Sequence, residues 1–146
     1  MTGNLKDAIL AVKADRTRDR EFLLTDCGSS RTVYLINGVV YKVDQSVPCW
    51  YNTQEFENIN TMRDSLPEGI YFPNVELFEV FNQIVIAMDY IEGQAMAECH
   101  CLEFEECDPM CMSDDILKRV KPYCDDTGGL NVIETSNGDL YIIDAA

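Results

Sequence analysis

No window of this chain holds the 18 or more apolar residues that a membrane-spanning helix requires. The opening stretch, MTGNLKDAILAVKADRTRDR, lacks the apolar run and small-residue cleavage site of a secretory signal. A soluble, cytoplasmic protein is expected. Positive charge is scarce: 11 Lys and Arg face 26 Asp and Glu, a net charge of −15, which argues against nonspecific binding to nucleic acid or to an anionic membrane. The shortage is uneven. Residues 1–42 carry a net +2 and residues 43–146 a net −17. The acidic second half can serve solubility, or it can imitate nucleic acid and occupy a basic partner protein. Internal repeats and low-complexity linkers are absent. An even cysteine count is lacking too: with seven cysteines and no secretory signal, free thiols or a metal site are better expectations than a disulfide framework.

What is present reads as one domain over residues 1–146, long enough to bury a core. Leu5, Ile9, Leu10 and Val12 give an amphipathic helix within residues 3–20. EFLLTDC, RTVYLI and VVYKVD read as strands, joined first by Gly28-Ser29-Ser30 and then by Asn37-Gly38. Phe56, Ile59, Met62 and Leu66 predict a helix over 52–66, capped by Asn52 or Thr53 and ended by Pro67-Glu68-Gly69. VELFEV and IVIAMDYI form a second hairpin around Asn82-Gln83. Residues 94–115 read as irregular. DDILKRVKPY is a short helix capped by Ser113, and LNVIE and DLYIID pair across Ser136-Asn137-Gly138. The fold class is α+β.

One lysine stands out. Asn-Gly between apolar runs signals a type I′ hairpin, because that turn needs positive φ at both positions. The register then sets Ile36 against Val39, Leu35 against Val40, Tyr34 against Tyr41 and Val33 against Lys42. Val33, Leu35, Val40 and Lys42 share one face; Thr32, Tyr34, Ile36, Val39, Tyr41 and Val43 share the other. Both faces are largely apolar, so both should be covered, and Lys42 then needs an anion. Glu55 and Glu57 lie roughly 200° apart at about 100° per residue around the following helix. Glu55 shares a stripe with Ile59, Met62 and Leu66 and is the expected partner, whereas Glu57 faces water with Thr61, Asp64 and Glu68. A ligand phosphate is a second candidate anion. A lysine snorkelling at a strand edge is the plain alternative.

From about Phe22 to Asp144 the ordered elements resemble, in miniature, a eukaryotic-like protein kinase or an aminoglycoside phosphotransferase. GSSRTVYLINGVVYKVD and DTGGLNV are also similar to short kinase-like proteins of tailed bacteriophages. The resemblance implies a kinase-like N-lobe with hinge over 1–93. It also implies a severely truncated C-lobe over 94–146, with a Cys-rich loop and a catalytic-loop-like hairpin. It implies an ATP- and Mg²⁺-binding phosphotransferase, in the host cytoplasm if phage-encoded. Gly28, Ser29 and Ser30 would stand over the nucleotide, Val33 and Val40 would sandwich adenine, and Lys42 with Glu55 would grip the phosphates. Met88 would be the gatekeeper, with the backbone of Asp89 and Ile91 reading the adenine edge. Asp126 would orient the acceptor hydroxyl, and Asn131 and Asp144 would hold Mg²⁺.

The pattern departs from the family in several places. One glycine replaces three in the phosphate loop, Cys124 stands where kinases have histidine, and Asp144 is followed by Ala145-Ala146 rather than Phe-Gly. ATP binding tolerates these departures better than peptide phosphorylation does. A catalytically inactive, kinase-like interaction protein whose acidic half blocks a basic host factor is the competing function.

Cys99, His100, Cys101, Cys107 and Cys111 fall within thirteen residues. Soft ligands so close in a loop suit tetrahedral zinc, structural if four thiolates fill the shell, and a metal-dependent sensor is a third reading of the chain. Free thiols with one disulfide fit the composition as well. Cys27, Cys49 and Cys124 look like packing residues. Glu103, Glu105, Glu106, Asp108, Asp114 and Asp115 read as a solvated acidic loop, or as a surface for a basic partner or divalent ion. Trp50-Tyr51 is either a staple closing the helix or an exposed partner-binding pair.

Overall fold

Asn37 and Gly38 both adopt positive φ, 52° and 77°, and the central hairpin closes on them. In this computed structural model, which describes residues 3–25, 31–44, 50–99, 101 and 106–145, the chain divides into two compact units. The first unit takes the residues up to Asn58 and Asn74–Tyr90; the second takes Ile59–Pro73 and Ile91–Ala145. Together they form an α+β protein.

In the first unit β1 (Leu23–Thr25), β2 (Arg31–Ile36) and β3 (Val39–Asp44) lie in sequence order. The β2–β3 register is the one the turn dictates, with Val33 opposite Lys42 and Tyr34 opposite Tyr41. Further along the chain, β4 (Ile70–Tyr71) goes to the second unit, and β5 (Val75–Val80) and β6 (Gln83–Asp89) complete an antiparallel sheet in the order β1-β2-β3-β6-β5. The turn between them is Phe81-Asn82 (φ 48° and 64°) rather than Asn82-Gln83, since Gln83 is already paired with Val80.

Both faces of this sheet are covered. Tyr34, Ile36, Tyr41 and Val43 pack with Val80, Val85 and Ala87 against the N-terminal helix α1 (Leu5–Thr17). The apolar side of α1 is only partly the one its large residues define: Val12 is in the core and Ile9 packs against it, but Leu5 and Leu10 do not. Ala8, Ala11, Val12 and Ala14 are buried, while Leu5 and Leu10 remain 51% and 38% exposed. The tyrosines beneath fill the interface, so the helix must present small residues to it. A Cβ on Gly3 would meet Ala87 Cβ at 2.8 Å and the Tyr41 hydroxyl at 2.9 Å. The opposite sheet face receives Glu55 from α2 (Tyr51–Met62), which ends in a single 3₁₀ turn, Arg63–Ser65.

The second unit is built on a smaller sheet, with β4, β7 (Gln94–Met96), β8 (Val132–Glu134) and β9 (Leu140–Ile142) in the order β4-β9-β8-β7. β4 runs parallel to β9; the other pairs are antiparallel. Ile70, Met96, Val132, Leu140 and Ile142 are buried in it. The sequence reading has no counterpart for β4, and β7 lies inside the stretch it treats as irregular. Two- and three-residue strands carry too little alternation to be recognised. α3 (Asp114–Val120) starts where expected, with Ser113 Oγ accepting from the Ile116 N–H at 3.2 Å. Among the described residues no helix is long and apolar enough to cross a membrane.

The alanine face of α1 yields a stability test. Ala11→Leu should cost about 1–3 kcal/mol by overpacking against the tyrosines. Leu10→Gln, at an exposed position, should stay within about 0.5 kcal/mol of the parent in urea denaturation.

Candidate functional site

Alternation along β2 and β3 places Arg31, Val33, Lys42 and Asp44 on one sheet face, since Arg31 is opposite Asp44 and Val33 opposite Lys42. Four charged groups meet there and at the start of α2. Lys42 Nζ lies 3.0 and 3.2 Å from the two carboxylate oxygens of Glu55, the pairing that helical spacing anticipates. Arg31 Nη1 donates to Glu55 Oε1 at 2.6 Å and to Asn52 Oδ1 at 3.2 Å. Glu55 and Asp44 are wholly buried, and Lys42 and Arg31 are 6% exposed. Charges so enclosed persist only where opposite charge and hydrogen bonds replace lost water.

Asn52 is not the helix cap. Its amide nitrogen donates to Lys42 O and to Ile84 O, both at 2.8 Å, tying α2 to two neighbouring strands. The capping role passes to Asp44, whose Oδ2 accepts from the Asn52 N–H at 3.2 Å. Arg31, Asp44 and Asn52 were missed as functional candidates. Two-residue periodicity was the available signal, because Arg31 and Asp44 each stand two residues from the Val33–Lys42 pair.

The same face continues in apolar residues. Val40 is opposite Met88, both are buried, and Val33 is half-buried. Asp89 is half-buried, donating its N–H to Asn74 O at 3.2 Å and accepting the Asn74 N–H on Oδ2 at 3.3 Å. Gly28, Ser29 and Ser30 lie outside the described residues, as do Cys27, Cys49, His100, Glu103 and Glu105. Trp50 and Tyr51 stack on each other at 4.2 Å, with Trp50 half-exposed.

In the second unit, where half-buried Ile91 also belongs, residues 126–131 form a closed loop. Asp126 Oδ1 accepts from the Gly129 N–H at 3.1 Å, and Asn131 Nδ2 donates back to Asp126 O at 3.0 Å. A Cβ on Gly129 would lie 3.0 Å from Asn131 Nδ2 and 3.2 Å from Asp126 Oδ2, so glycine gives the loop its tightness. The Ile143 N–H donates to Asn131 O at 2.9 Å, which sets Asn131 beside the residue preceding Asp144. Asp126 is exposed; Asn131 and Asp144 are half-buried. Cys124, buried nearby, has its thiol pushed up to about 11, first by burial and then by the charge of Asp144, with Asp126 and Asp125 adding to it. Hard oxygens and negative charge thus gather around this loop, a chemistry suited to a divalent cation.

Four sulfurs form a separate centre. Cys99, Cys101, Cys107 and Cys111 present Sγ atoms all within 4.8 Å of one another and can hold a metal ion. The Sγ atoms of Cys99 and Cys107 lie 3.5 Å apart, and those of Cys101 and Cys111 3.6 Å. Tetrahedral zinc with Zn–S near 2.3 Å needs sulfur separations of about 3.8 Å, so the cluster has the right scale. The backbone N–H of Cys101 and the Cys107 thiol lower the pKa of Cys99; Cys107 is raised in return, and Cys111 is pushed up to about 12, chiefly by its hydrogen bond with Cys101. Glu106, Asp108, Asp114 and Asp115 are exposed around this loop and α3.

The shared carboxylate predicts an asymmetry between variants. Glu55→Gln withdraws the common anion from two buried cations and should cost about 3–5 kcal/mol. Lys42→Met leaves Glu55 with Arg31 and should cost only about 1–2 kcal/mol. Equal losses in urea denaturation would show that Arg31 does not hold the carboxylate.

Compared with known proteins, the chain matches no protein-family model and no curated sequence.

Proposed function

We propose that the chain is a reduced kinase-like protein that binds ATP with Mg²⁺ and transfers the γ-phosphoryl group to a hydroxyl acceptor. The observation that carries this reading is Lys42 in the strand after the Asn-Gly turn, held by both oxygens of a helix carboxylate. Phosphoryl transfer asks a protein mainly to position groups and neutralise charge, and a cation fixed in this way suits that task. The nearness of Asn131 to the Ile143–Asp144 segment is a second support, because an amide oxygen and a carboxylate are ligands Mg²⁺ accepts. Bound Mg-ATP supplies the phosphoryl group and much of the charge neutralisation.

The roles of the chain's own residues follow. Lys42 would neutralise phosphate oxygens while Glu55 keeps its ammonium in place. Val33, Val40 and Met88 offer apolar contact to a base, and the backbone of Asp89 and Ile91 would read its edge. Asp126, exposed and already oriented by the Gly129 N–H, would accept the acceptor hydroxyl's proton. At the cysteine cluster zinc is the ion we assign, since four thiolates complete its tetrahedron and leave no open position for catalysis.

A second reading is a non-catalytic protein whose acidic half occupies a basic partner. The exposure of Glu106, Asp108, Asp114 and Asp115 favours it. Thermal unfolding separates the two. Mg-ATP at about a hundredfold over its dissociation constant adds about 2.7 kcal/mol, a rise of roughly 5–10 °C for a chain of this size. The rise should vanish in Asn131→Ala and Asp144→Asn. Asp126→Asn should keep the rise and lose transfer of labelled phosphate. No rise in the parent protein would overturn the phosphotransferase reading and favour the acidic-surface one.

A further inference from the structure

The four cysteines lie on the two arms of one loop, Cys99 and Cys101 leaving β7, Cys107 and Cys111 returning toward α3. At its root the arms are joined by backbone. The Ala97 N–H donates to Met110 O at 2.7 Å, the Met112 N–H to Ala97 O at 2.9 Å, and Ala97 bridges Cys111. Among the described residues beyond the root, exposure prevails on both arms. Met112 is buried, but Cys99 and residues 106–110 are exposed. A metal bound by both arms would join them directly, whatever their packing.

The root of the same loop also carries the Asp126–Asn131 loop. The Glu98 N–H, one residue before Cys99, donates to Thr127 O at 2.6 Å, and Thr127 is buried although Asp126 and Gly128 beside it are exposed. Two residues earlier, Met96 of β7 pairs with Val132, the residue after Asn131. Both ends of the 126–131 loop are therefore anchored on the single stretch 96–98. Gly93 lets the start of that strand approach β8 closely, because a Cβ there would collide with Glu134 O.

We propose that metal bound by Cys99, Cys101, Cys107 and Cys111 is a clasp that holds the Asp126–Asn131 loop in place through Glu98 and β7, so that loss of the metal loosens the loop. The inference rests on the metal reading of the cysteine cluster and is independent of the nucleotide reading. Pinning Cys99 fixes the direction in which Glu98 presents its N–H. Without the metal, the Glu98–Thr127 bond is the backbone bond that joins the described residues of the outgoing arm beyond Ala97 to the 126–131 loop, and it must order both partners.

The experiment uses the full chain expressed with zinc and needs no nucleotide. Metal analysis should give one zinc per chain, and Co²⁺ in its place should give the visible absorption of a tetrahedral tetrathiolate. Hydrogen exchange is then compared before and after removal of zinc by a chelator, and in Cys101→Ser. Peptides covering 97–112 and 126–131 should exchange at least about tenfold faster without metal, while α1 and the β5–β6 hairpin stay protected. Zinc far below one per chain, or two disulfides by mass spectrometry in freshly purified protein, would overturn both the metal reading and the clasp. Bound zinc whose removal loosens only 97–112 would overturn the clasp and leave the metal site standing. Loss of protection throughout α1 and the β5–β6 hairpin would overturn it too, by making the metal a global requirement.

Discussion

Two buried cations, Lys42 and Arg31, lean on one buried carboxylate, Glu55, and the arrangement of the first unit depends on that sharing. A sheet face carrying two cations, Arg31 and Lys42, beside one carboxylate, Asp44, cannot be covered by an apolar helix side. It demands a helix that brings an anion, at a height where both cations reach it. Asn52 and Asp44 then fix that height. Asp44 accepts the Asn52 N–H, and Asn52 donates to carbonyls of β3 and β6, so the first turn of α2 is tied to two strands at once. The register of β2 and β3 is locked by the same contacts. A slip of one residue would carry Lys42 to the face where α1 packs its alanines.

How far this was legible depended on the reach of each signal. Asn37-Gly38 set the hairpin and its register, because few residue pairs tolerate positive φ twice. Glu55 could be chosen over Glu57 from angular spacing alone, and it is the buried one. Arg31 escaped because it follows a Gly-Ser-Ser stretch read as a turn. Asp44 escaped because it looked like a strand end. Asn52, like Thr53, is a natural cap candidate because asparagine and threonine favour helix starts, yet burial turns the Asn52 amide inward toward strand carbonyls. On α1 the rule that large apolar residues face inward holds for Ile9 and Val12 but not for Leu5 and Leu10, since much of the volume at that interface belongs to Tyr34 and Tyr41. The Phe81-Asn82 turn likewise defeats residue preference. Strand pairing decides its position, and Arg16 steadies Phe81 by donating to its carbonyl at 2.9 Å and lying 5.2 Å from its ring centre.

The second unit shows a different limit. Cysteine spacing gave the ligand types of a metal centre but not their convergence, which needs the short β7 and the Ala97–Cys111 bridge to bring two arms together. The 126–131 loop illustrates how one set of residues answers two demands. Asp126 and Asn131 close a turn on themselves, and an aspartate accepting the N–H three residues on is a common way to make such a turn. The turn accounts for these side chains without catalysis. Asp144 lies just beyond the end of β9, and under the phosphotransferase proposal it is the residue that would join Asn131 in holding a cation.

Sharing of Glu55 also bears on what Lys42 can do under the nucleotide reading. A lysine locked to its own private carboxylate would have to abandon a buried anion to serve a phosphate, and an uncompensated buried charge costs several kcal/mol. Arg31 changes that balance. Its bond to Glu55 Oε1, at 2.6 Å, is shorter than either Lys42 contact, and it is further braced by Asn52 Oδ1. If the Lys42 ammonium divides its hydrogen bonds between Glu55 and an incoming phosphate oxygen, the carboxylate keeps a guanidinium against it throughout. Under the nucleotide proposal, the second cation is what would let Lys42 turn part of its hydrogen bonding to an anionic ligand without stranding Glu55.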